Sequence, residues 1–469
     1  MLFTTIQFWA AFVAFLFLFA LLRKTKREVL QLYVIAASLG FFYLSNHWLM
    51  LLLPATALVS WMLTEWMSEA KGAARKCLLF LIVTLDLLPL LFFKYSHSLS
   101  ELLNQMLLTN FSLPSIALPI GISFYTFQAI SYSVDVFRRH FSTKVSFLEY
   151  LLYLSFFPLL LAGPITRAKT FFPQIRRENI ISERLLYSGL WLIVLGIVKK
   201  AVVADYIAQY NDWIFSAPDA YSGFECLMGL VGFSMQIYLD FSGYSDISIG
   251  MAALLGIRLR ENFSFPYRSR NLTEFWHRWH ISLSTWFRDY LYIPLGGNRH
   301  GMTRTCLSLL VTMTAAGIWH GSTIMFLIWG LLHGIGLAIH KLCRPFLHDI
   351  RDNWLTISVS RIITLSFVIL CWAVFRSPDI DTAQQLFMGI FTRMDLSYAA
   401  PFFLARTTWC ILLIASILSL FIGERLYAHA EAKFIHWPWI MKLLAFLFVV
   451  QLVVELHTSD IQPFLYFRF

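Results

Sequence analysis

The apolar stretch FTTIQFWAAFVAFLFLFALL at residues 3–22 is followed directly by the basic cluster RKTKR at residues 23–27. About 20 apolar residues are enough for one helix to cross a bilayer. A secretory signal peptide would carry its positive charges before the apolar stretch and would end in small residues. We therefore expect a retained first membrane helix. Because Lys and Arg favour cytoplasmic loops, the loop after it is expected in the cytoplasm and the N-terminus outside.

The composition extends this expectation to the whole chain. Of 469 residues, 58% are hydrophobic and 14% are charged, whereas a soluble protein carries about 25% charged residues. The sequence predicts an all-α, polytopic integral membrane helical bundle with roughly 10 to 13 membrane segments, some of them re-entrant. We expect one domain over residues 1–469. Apolar runs lie at residues 3–22, 29–45, 48–64, 77–95, 147–163, 184–204, 223–255, 305–319, 322–342, 359–376, 407–425 and 438–455, with a more polar run at 118–137.

The charge and the cysteines argue against two other classes of protein. The net charge is +10, but the basic residues recur in short loops between apolar runs, so we do not expect nucleic-acid binding. The 6 cysteines are scattered without a CxxC pair, which supports neither a disulfide framework nor a zinc site. No metal site is expected.

The loops give a consistent orientation for the first third of the chain. Lys71, Arg75 and Lys76 lie two crossings after the first basic cluster, so this loop is also expected in the cytoplasm. The stretch 95–137 contains no Lys or Arg. We expect it to start on the outer face and to return inward at Arg138.

The first polar cluster is QIYLDFSGYSD at residues 236–246, inside the apolar run 223–255. Charged groups inside a membrane bundle are costly and are candidates for function. Asp240, Tyr244 and Asp246 could form a hydrogen-bond cluster between helices, line a substrate tunnel or relay protons. The residues alone leave these three alternatives open.

The second cluster is FWHRWHISLSTWFRDY at residues 275–290. Its tryptophans have the spacing of an amphipathic helix, which we expect to lie along the cytoplasmic interface. His277 and His280 are three residues apart, but spacing identifies no third metal ligand.

The third cluster is GIWHG at residues 317–321, followed by WGLLHG at residues 329–334. An isolated histidine in an apolar run is more often a packing residue than a catalytic one. Here glycines and a tryptophan flank His320, which favours a cavity at a helix junction. A neutral imidazole in such a cavity could take a proton from an attacking hydroxyl.

The motifs together resemble the membrane-bound O-acyltransferase family. The resemblance is strongest in TEFWHRWHISLSTWFRDYLYIPLGGNR at residues 273–299, GIWHG and WGLLHG, within a motif core at 236–334. It is closest to the bacterial branch that O-acetylates alginate, peptidoglycan and cellulose. IPLGGNR at 293–299 is missing from the branch that D-alanylates teichoic acids. Supporting stretches are LPIGISFYTFQAISY at 118–132, AGPI at 162–165, RLRENFSFPY at 258–267 and PFLYFRF at 463–469.

The resemblance implies a tunnel across the membrane and a role for each candidate residue. His320 carries over as the catalytic histidine and His280 as the supporting one, whereas His333 is expected to be mainly structural. Three arginines of the stretch 273–299 could attract the phosphates of coenzyme A or anionic lipid headgroups. The arginines are Arg278, Arg288 and Arg299, and the expected tunnel residues are Asp240, Tyr244, Asp246 and Trp319.

The resemblance further implies an O-acetyltransferase in the bacterial cytoplasmic (inner) membrane. We expect it to move acetyl from a cytoplasmic donor, acetyl-CoA, to a cell-surface polysaccharide, with no permanently bound cofactor. Expected partners are a periplasmic hydrolase-like acetyltransferase, the polysaccharide assembly machinery and membrane lipids. Alternatives are D-alanyl transfer to teichoic acid, acyl transfer to a lipid and a proton-coupled transporter. The sequence does not name the polysaccharide.

Overall fold

The computed structural model describes residues 5–107, 118–141, 144–161, 163–177, 181–347 and 353–456. Every regular element in these ranges is helical, which confirms the all-α prediction. Of the stretches that carry the resemblance, Ala162 and PFLYFRF at 463–469 lie outside the described residues.

The helices are α1 Ile6–Leu22, α2 Arg27–Asn46, α3 Leu52–Glu69, α4 Gly72–Leu107, α5 Ile122–Phe137, α6 Phe147–Ser155, α7 Phe157–Leu160, α8 Ala168–Arg176, α9 Glu183–Ile197, α10 Asp205–Ser216, α11 Gly223–Leu254, α12 Leu272–Arg278, α13 Ile281–Phe287, α14 Met302–His320, α15 Ile324–Leu347, α16 Trp354–Arg376, α17 Ile380–Thr392, α18 Ala399–Ala405, α19 Thr407–Ser419, α20 Glu424–His436 and α21 Trp439–Leu456.

Five of the described helical stretches are long and apolar enough to cross a membrane, or six if a pair bent by 100° counts as one span. The chain is therefore a multi-pass membrane protein. The other predicted segments coincide with shorter or more polar helices: α1 has only 17 residues, and the run 147–163 is broken between α6 and α7 before Pro158. The spans are Arg27–Glu69, Gly72–Glu101, Ile324–Phe346, Trp354–Arg376 and Trp439–Leu456, and the bent pair is Leu396–Ala405 with Thr407–Ser419.

The chain divides into two compact units, Met1–Gly189 with Ser248–Arg260, and Leu190–Ile247 with Glu261–Phe469. In the first unit, aromatic side chains of α1 pack on α7, with the ring centroids of Phe15 and Phe157 5.3 Å apart. The same unit buries Asp86, whose carboxylate accepts a hydrogen bond from Ser60 at 3.1 Å. The expectation of one domain over the whole chain stays a prediction.

The second unit holds all the candidate site residues. One element of it differs from the sequence prediction: the expected single amphipathic helix at 275–290 is wrong. The structure has two short helices, α12 and α13, broken at Trp279 and His280. His280 has φ 42°, a left-handed conformation that ends a right-handed helix. Trp279 is 2% exposed. Burial of its indole in the core therefore determines the local structure, whereas the amphipathic spacing of the sequence predicted that the helix would continue along the membrane surface.

A cluster of buried and half-buried ion pairs joins α11 to the π-helical turn Val198–Ala204. Lys200, which is 1% exposed, contacts the carboxylates of Asp240 and Asp205. Lys199 pairs with Asp246 at 2.6 Å. Because a buried charge needs a partner of opposite sign, these pairs account for the carboxylates inside the apolar run 223–255.

Candidate active site

His320 is the last residue of α14 and is 5% exposed. Its imidazole packs edge to face against three rings: the centroids lie 5.0 Å from Trp319, 5.0 Å from Trp329 and 5.3 Å from Phe375. Three aromatic neighbours leave the imidazole few orientations.

Close packing of α14 against α15 places His320 beside Trp329. Gly317 and Gly330 face each other at the helix crossing, and a Cβ on Gly330 would lie 2.5 Å from the carbonyl oxygen of Met313. A Cβ on Gly317 would clash with the carbonyl oxygen of Phe326. The two glycines are therefore required for the backbones to approach, as small residues are in membrane helix pairs.

A cavity of about 350 Å³ leads to His320. One wall is a single face of α14, formed by Leu309, Met313, Ala316 and His320. The axial distance from Leu309 to His320 is about 16 Å at 1.5 Å per residue. This largely apolar wall runs toward the imidazole of His320, whereas other lining residues, among them His277, Ser284 and Thr285, are polar.

The exposed end of the cavity is basic. Lys341 and Arg344 lie on the same face of α15, and Arg288 follows the end of α13. Asn298 and Tyr292 complete this rim, with the tyrosine hydroxyl donating to the asparagine Oδ1 at 2.6 Å. Three cations around an apolar passage suit a ligand with an anionic head and a long neutral arm.

His280 is held by Asn262. The Oδ1 atom of Asn262 lies 3.2 Å from Nδ1 of His280 and also accepts the backbone N–H of Ser282 at 3.1 Å. Since a backbone N–H can only donate, the accepting atom of the amide is its oxygen, and His280 Nδ1 must carry the proton. The Nε2 atom is then the basic nitrogen. Burial lowers the pKa of His280 to about 3, so the imidazole is neutral at physiological pH.

Trp319 lies between the two predicted catalytic histidines. Its ring centroid is 6.3 Å from that of His280 and 5.0 Å from that of His320. The residues that line the cavity include His320 but not His280. The structure therefore brings both histidines to one aromatic cluster and gives only His320 direct access to the cavity.

The predicted arginines separate into two groups. Arg288 lines the cavity, where it also pairs with Asp289 at 2.9 Å. Arg278 pairs with Glu274 at 3.0 Å, and Arg299 is exposed in the turn after Gly297; neither lines the cavity.

The predicted tunnel residues lie in two places. Trp319 is in the aromatic cluster beside His320, whereas Asp240 and Asp246 belong to the ion-pair cluster with Lys199 and Lys200. Tyr244 lies in that cluster too, its ring 5.3 Å from the Lys200 ammonium group. None of the four lines the cavity. Their role in a tunnel stays a prediction.

The residues of the site that the sequence did not single out include Asn262, Lys341 and Arg344. Asn262 lies in the quoted stretch 258–267 but has no spacing relation to His280. Lys341 and Arg344 could have been found, because with Leu337 they have the spacing of one helix face at the end of a predicted span.

His333 is completely buried among aromatic rings. Its centroid is 4.9 Å from Trp329 and 5.1 Å from Trp276. Neither ring nitrogen has a hydrogen-bond partner in the part of the chain that the structure describes. The arrangement is that of a packing residue on α15.

Residues 38–377 match the membrane-bound O-acyltransferase (MBOAT) family. The probable alginate O-acetylase AlgI of Pseudomonas putida is 34% identical over 413 residues, which cover 83% of this chain and 84% of that protein. The protein of the same name from Pseudomonas aeruginosa is 38% identical over 318 residues, 67% of this chain and 60% of that protein. The peptidoglycan O-acetyltransferase of Helicobacter pylori is 33% identical over 424 residues, 83% of this chain and 80% of that protein.

Proposed function

The chain belongs to the membrane-bound O-acyltransferase family, and we propose that it moves acetyl from cytoplasmic acetyl-CoA across the bacterial inner membrane for O-acetylation of a cell-surface polysaccharide. The observation that carries this proposal is the cavity that joins three cations to His320. Similarity to proteins named for alginate and peptidoglycan O-acetylation supports a polysaccharide as the final acceptor.

The shape of the cavity supports a coenzyme A thioester as the donor. Arg288, Lys341 and Arg344 match the phosphates of such a molecule, since charge-assisted hydrogen bonds to phosphate are strong. The apolar face of α14 matches its flexible arm. A small donor such as acetyl phosphate would not need charges separated from the reactive histidine by a passage of about 16 Å.

In this reaction His320 acts as the general base. The oxygen of an acceptor hydroxyl attacks the thioester carbonyl carbon while the imidazole takes the hydroxyl proton. The new C–O bond forms, the electron pair of the carbonyl moves onto its oxygen, and collapse of this intermediate breaks the C–S bond. The imidazolium then returns the proton to the leaving thiolate, so atoms and charges balance.

His280 acts from behind Trp319 rather than at the reacting atoms. Asn262 fixes its tautomer, and its ring lies 4.6 Å from Phe241 as well as near Trp319. We assign it the positioning of the indole that packs on His320. Transfer to the polymer itself is assigned to a periplasmic partner, as the family resemblance implies, and in assays without the partner a soluble oligosaccharide serves as the acceptor in place of the polymer.

The donor is tested with purified protein and two radiolabelled donors, acetyl-CoA and acetyl phosphate, in the presence of a soluble oligosaccharide acceptor. We expect acetyl transfer from acetyl-CoA and release of free coenzyme A, with little transfer from acetyl phosphate. Equal use of both donors would contradict the proposal that the cationic rim selects a donor that carries coenzyme A. His429→Ala, which changes an exposed histidine of α20, is the control for protein handling.

A further inference from the structure

Bulky rings pack against His320 directly behind the residues that line the cavity. Phe326 and Trp329 of α15 and Phe375 of α16 pack together beside His320, and we call these three residues the aromatic wall. The Phe375 ring lies 5.1 Å from Phe326, 5.2 Å from Trp329 and 5.3 Å from His320. His320 lines the cavity, but no wall residue is among its lining residues.

The wall has little freedom to move. Phe326 is 4% exposed, and Trp329 and Phe375 are each 1% exposed. Trp372 packs behind both, with centroids 6.0 Å from Trp329 and 5.5 Å from Phe375. Interiors packed this tightly do not open to accept added methylene groups without displacing side chains.

The position of the wall bears on the acyl group of the donor. If the thioester carbonyl reaches His320, the arm fills the passage along α14 and the rest of the acyl chain points past the imidazole. One methyl group follows the carbonyl in acetyl, whereas propionyl and butyryl add one and two methylenes in the direction of the wall.

We propose that the aromatic wall sets the acyl length and restricts the donor to acetyl thioesters, with Phe375 as its main determinant. This inference rests on the proposed function, because it concerns the donor of that same cavity. Phe375 is the main determinant because its ring contacts both other wall residues and His320. It lies on α16, whereas the other two wall residues lie on α15.

The test compares acetyl-, propionyl- and butyryl-CoA in wild type and in Phe375→Ala. A fitted pocket discriminates about tenfold or more for each extra methylene, so wild type should use butyryl-CoA at least about 100-fold less well than acetyl-CoA, measured as kcat/KM. Phe375→Ala should raise the butyryl-to-acetyl ratio at least about tenfold. Because the readout is a ratio, it does not depend on how much protein folds.

Phe367→Ala is the matched control. Phe367 is also on α16, and its ring packs 5.6 Å from His333. This variant should leave the ratio unchanged. If Phe375→Ala does not accumulate, Phe375→Leu tests the same change with a smaller cavity.

Two results would overturn the inference. One is wild-type protein that uses butyryl-CoA as efficiently as acetyl-CoA. The other is an unchanged ratio in a Phe375 variant that still uses acetyl-CoA. Wild-type protein that uses none of the three thioesters would instead contradict the proposed donor, so the two failures are distinguishable.

Discussion

Asn262 Oδ1 lies 3.2 Å from Nδ1 of His280, and this contact fixes which nitrogen of the imidazole carries the proton. The amide is itself oriented by Ser282, whose backbone N–H donates to Oδ1, and by Ser245, whose hydroxyl accepts from Nδ2 at 3.3 Å. The arrangement makes Asn262 a positioning residue that acts through His280.

Asn262→Leu should therefore reduce acetyl transfer. The substitution removes the acceptor of Nδ1–H and allows the other tautomer, so we expect kcat to fall at least about tenfold with little change in the KM for acetyl-CoA. Steady-state kinetics with purified protein check this. Ser245→Ala removes only the second contact of the amide and should cost less. A kcat within about twofold of wild type in Asn262→Leu would show that the contact has no bearing on catalysis.

The buried His280 should also make stability depend on pH. His280 lies outside the candidate spans, and burial lowers its pKa from 6.5 to about 3. Between these two pH values the imidazole of His280 binds a proton in the unfolded chain but not in the folded protein. The free energy of unfolding is therefore unaffected by protonation of this group above pH 6.5 and decreases as the pH falls toward 3. Thermal unfolding in detergent should show a smaller loss of Tm between pH 6.5 and pH 4 in His280→Gln than in wild type. An equal loss of Tm in His280→Gln and in wild type over this pH range would contradict the conclusion that His280 is buried in its neutral form.

The cationic rim should control donor affinity. Removing one charged partner of a phosphate costs about 1.5 to 3 kcal/mol, so Lys341→Ala and Arg344→Ala should each raise the KM for acetyl-CoA roughly tenfold or more while kcat changes little. The control is Arg299→Ala, which removes an exposed charge that does not line the cavity. Equal KM values for all three variants and wild type would show that the phosphates of acetyl-CoA do not bind at the cationic rim.

His333→Phe distinguishes packing from chemistry. Neither ring nitrogen of the buried His333 has a hydrogen-bond partner in the described chain, and burying such a polar group lowers the free energy of unfolding by about 1 to 3 kcal/mol. A phenyl ring of similar shape would remove this destabilisation. If His333 only packs, the variant should keep its activity and unfold at a higher temperature. A folded variant with less than about a tenth of the wild-type activity would give His333 a chemical role.

The sequence predicted the helical membrane fold because long apolar runs leave few alternatives in a bilayer. The positions of α2, α3, α15 and α16 follow the predicted runs closely, whereas α4 is longer than the run 77–95 at both ends and the runs 29–45 and 48–64 lie in one continuous helical stretch, Arg27–Glu69. The break at Trp279 and His280 was not predictable, because amphipathic spacing describes a helix and cannot show that Trp279 is required in the core.

The site was predicted in part for a similar reason. His320 stands in a motif with its own glycines, and the structure places it at the end of a cavity. The partners of Asp240 and Asp246 were missed because Lys200 and Lys199 lie 40 and 47 residues before them in the chain. The spacing of one segment carries no information about its neighbours in space. Two adjacent lysines inside a predicted apolar run were nonetheless a signal that buried carboxylates lay near.

Acetyl movement across the membrane through His320 is tested most directly in sealed vesicles. Purified protein is reconstituted, acetyl-CoA labelled in the acetyl group is supplied on the cytoplasmic face, and an oligosaccharide acceptor is confined to the other face. Acetyl-CoA is too highly charged to cross a bilayer by itself. We expect label on the acceptor and free coenzyme A on the donor side, and loss of at least about 100-fold of this transfer in His320→Ala but not in His429→Ala. Label that stays on the donor side in wild type, or transfer that persists in His320→Ala, would contradict the account.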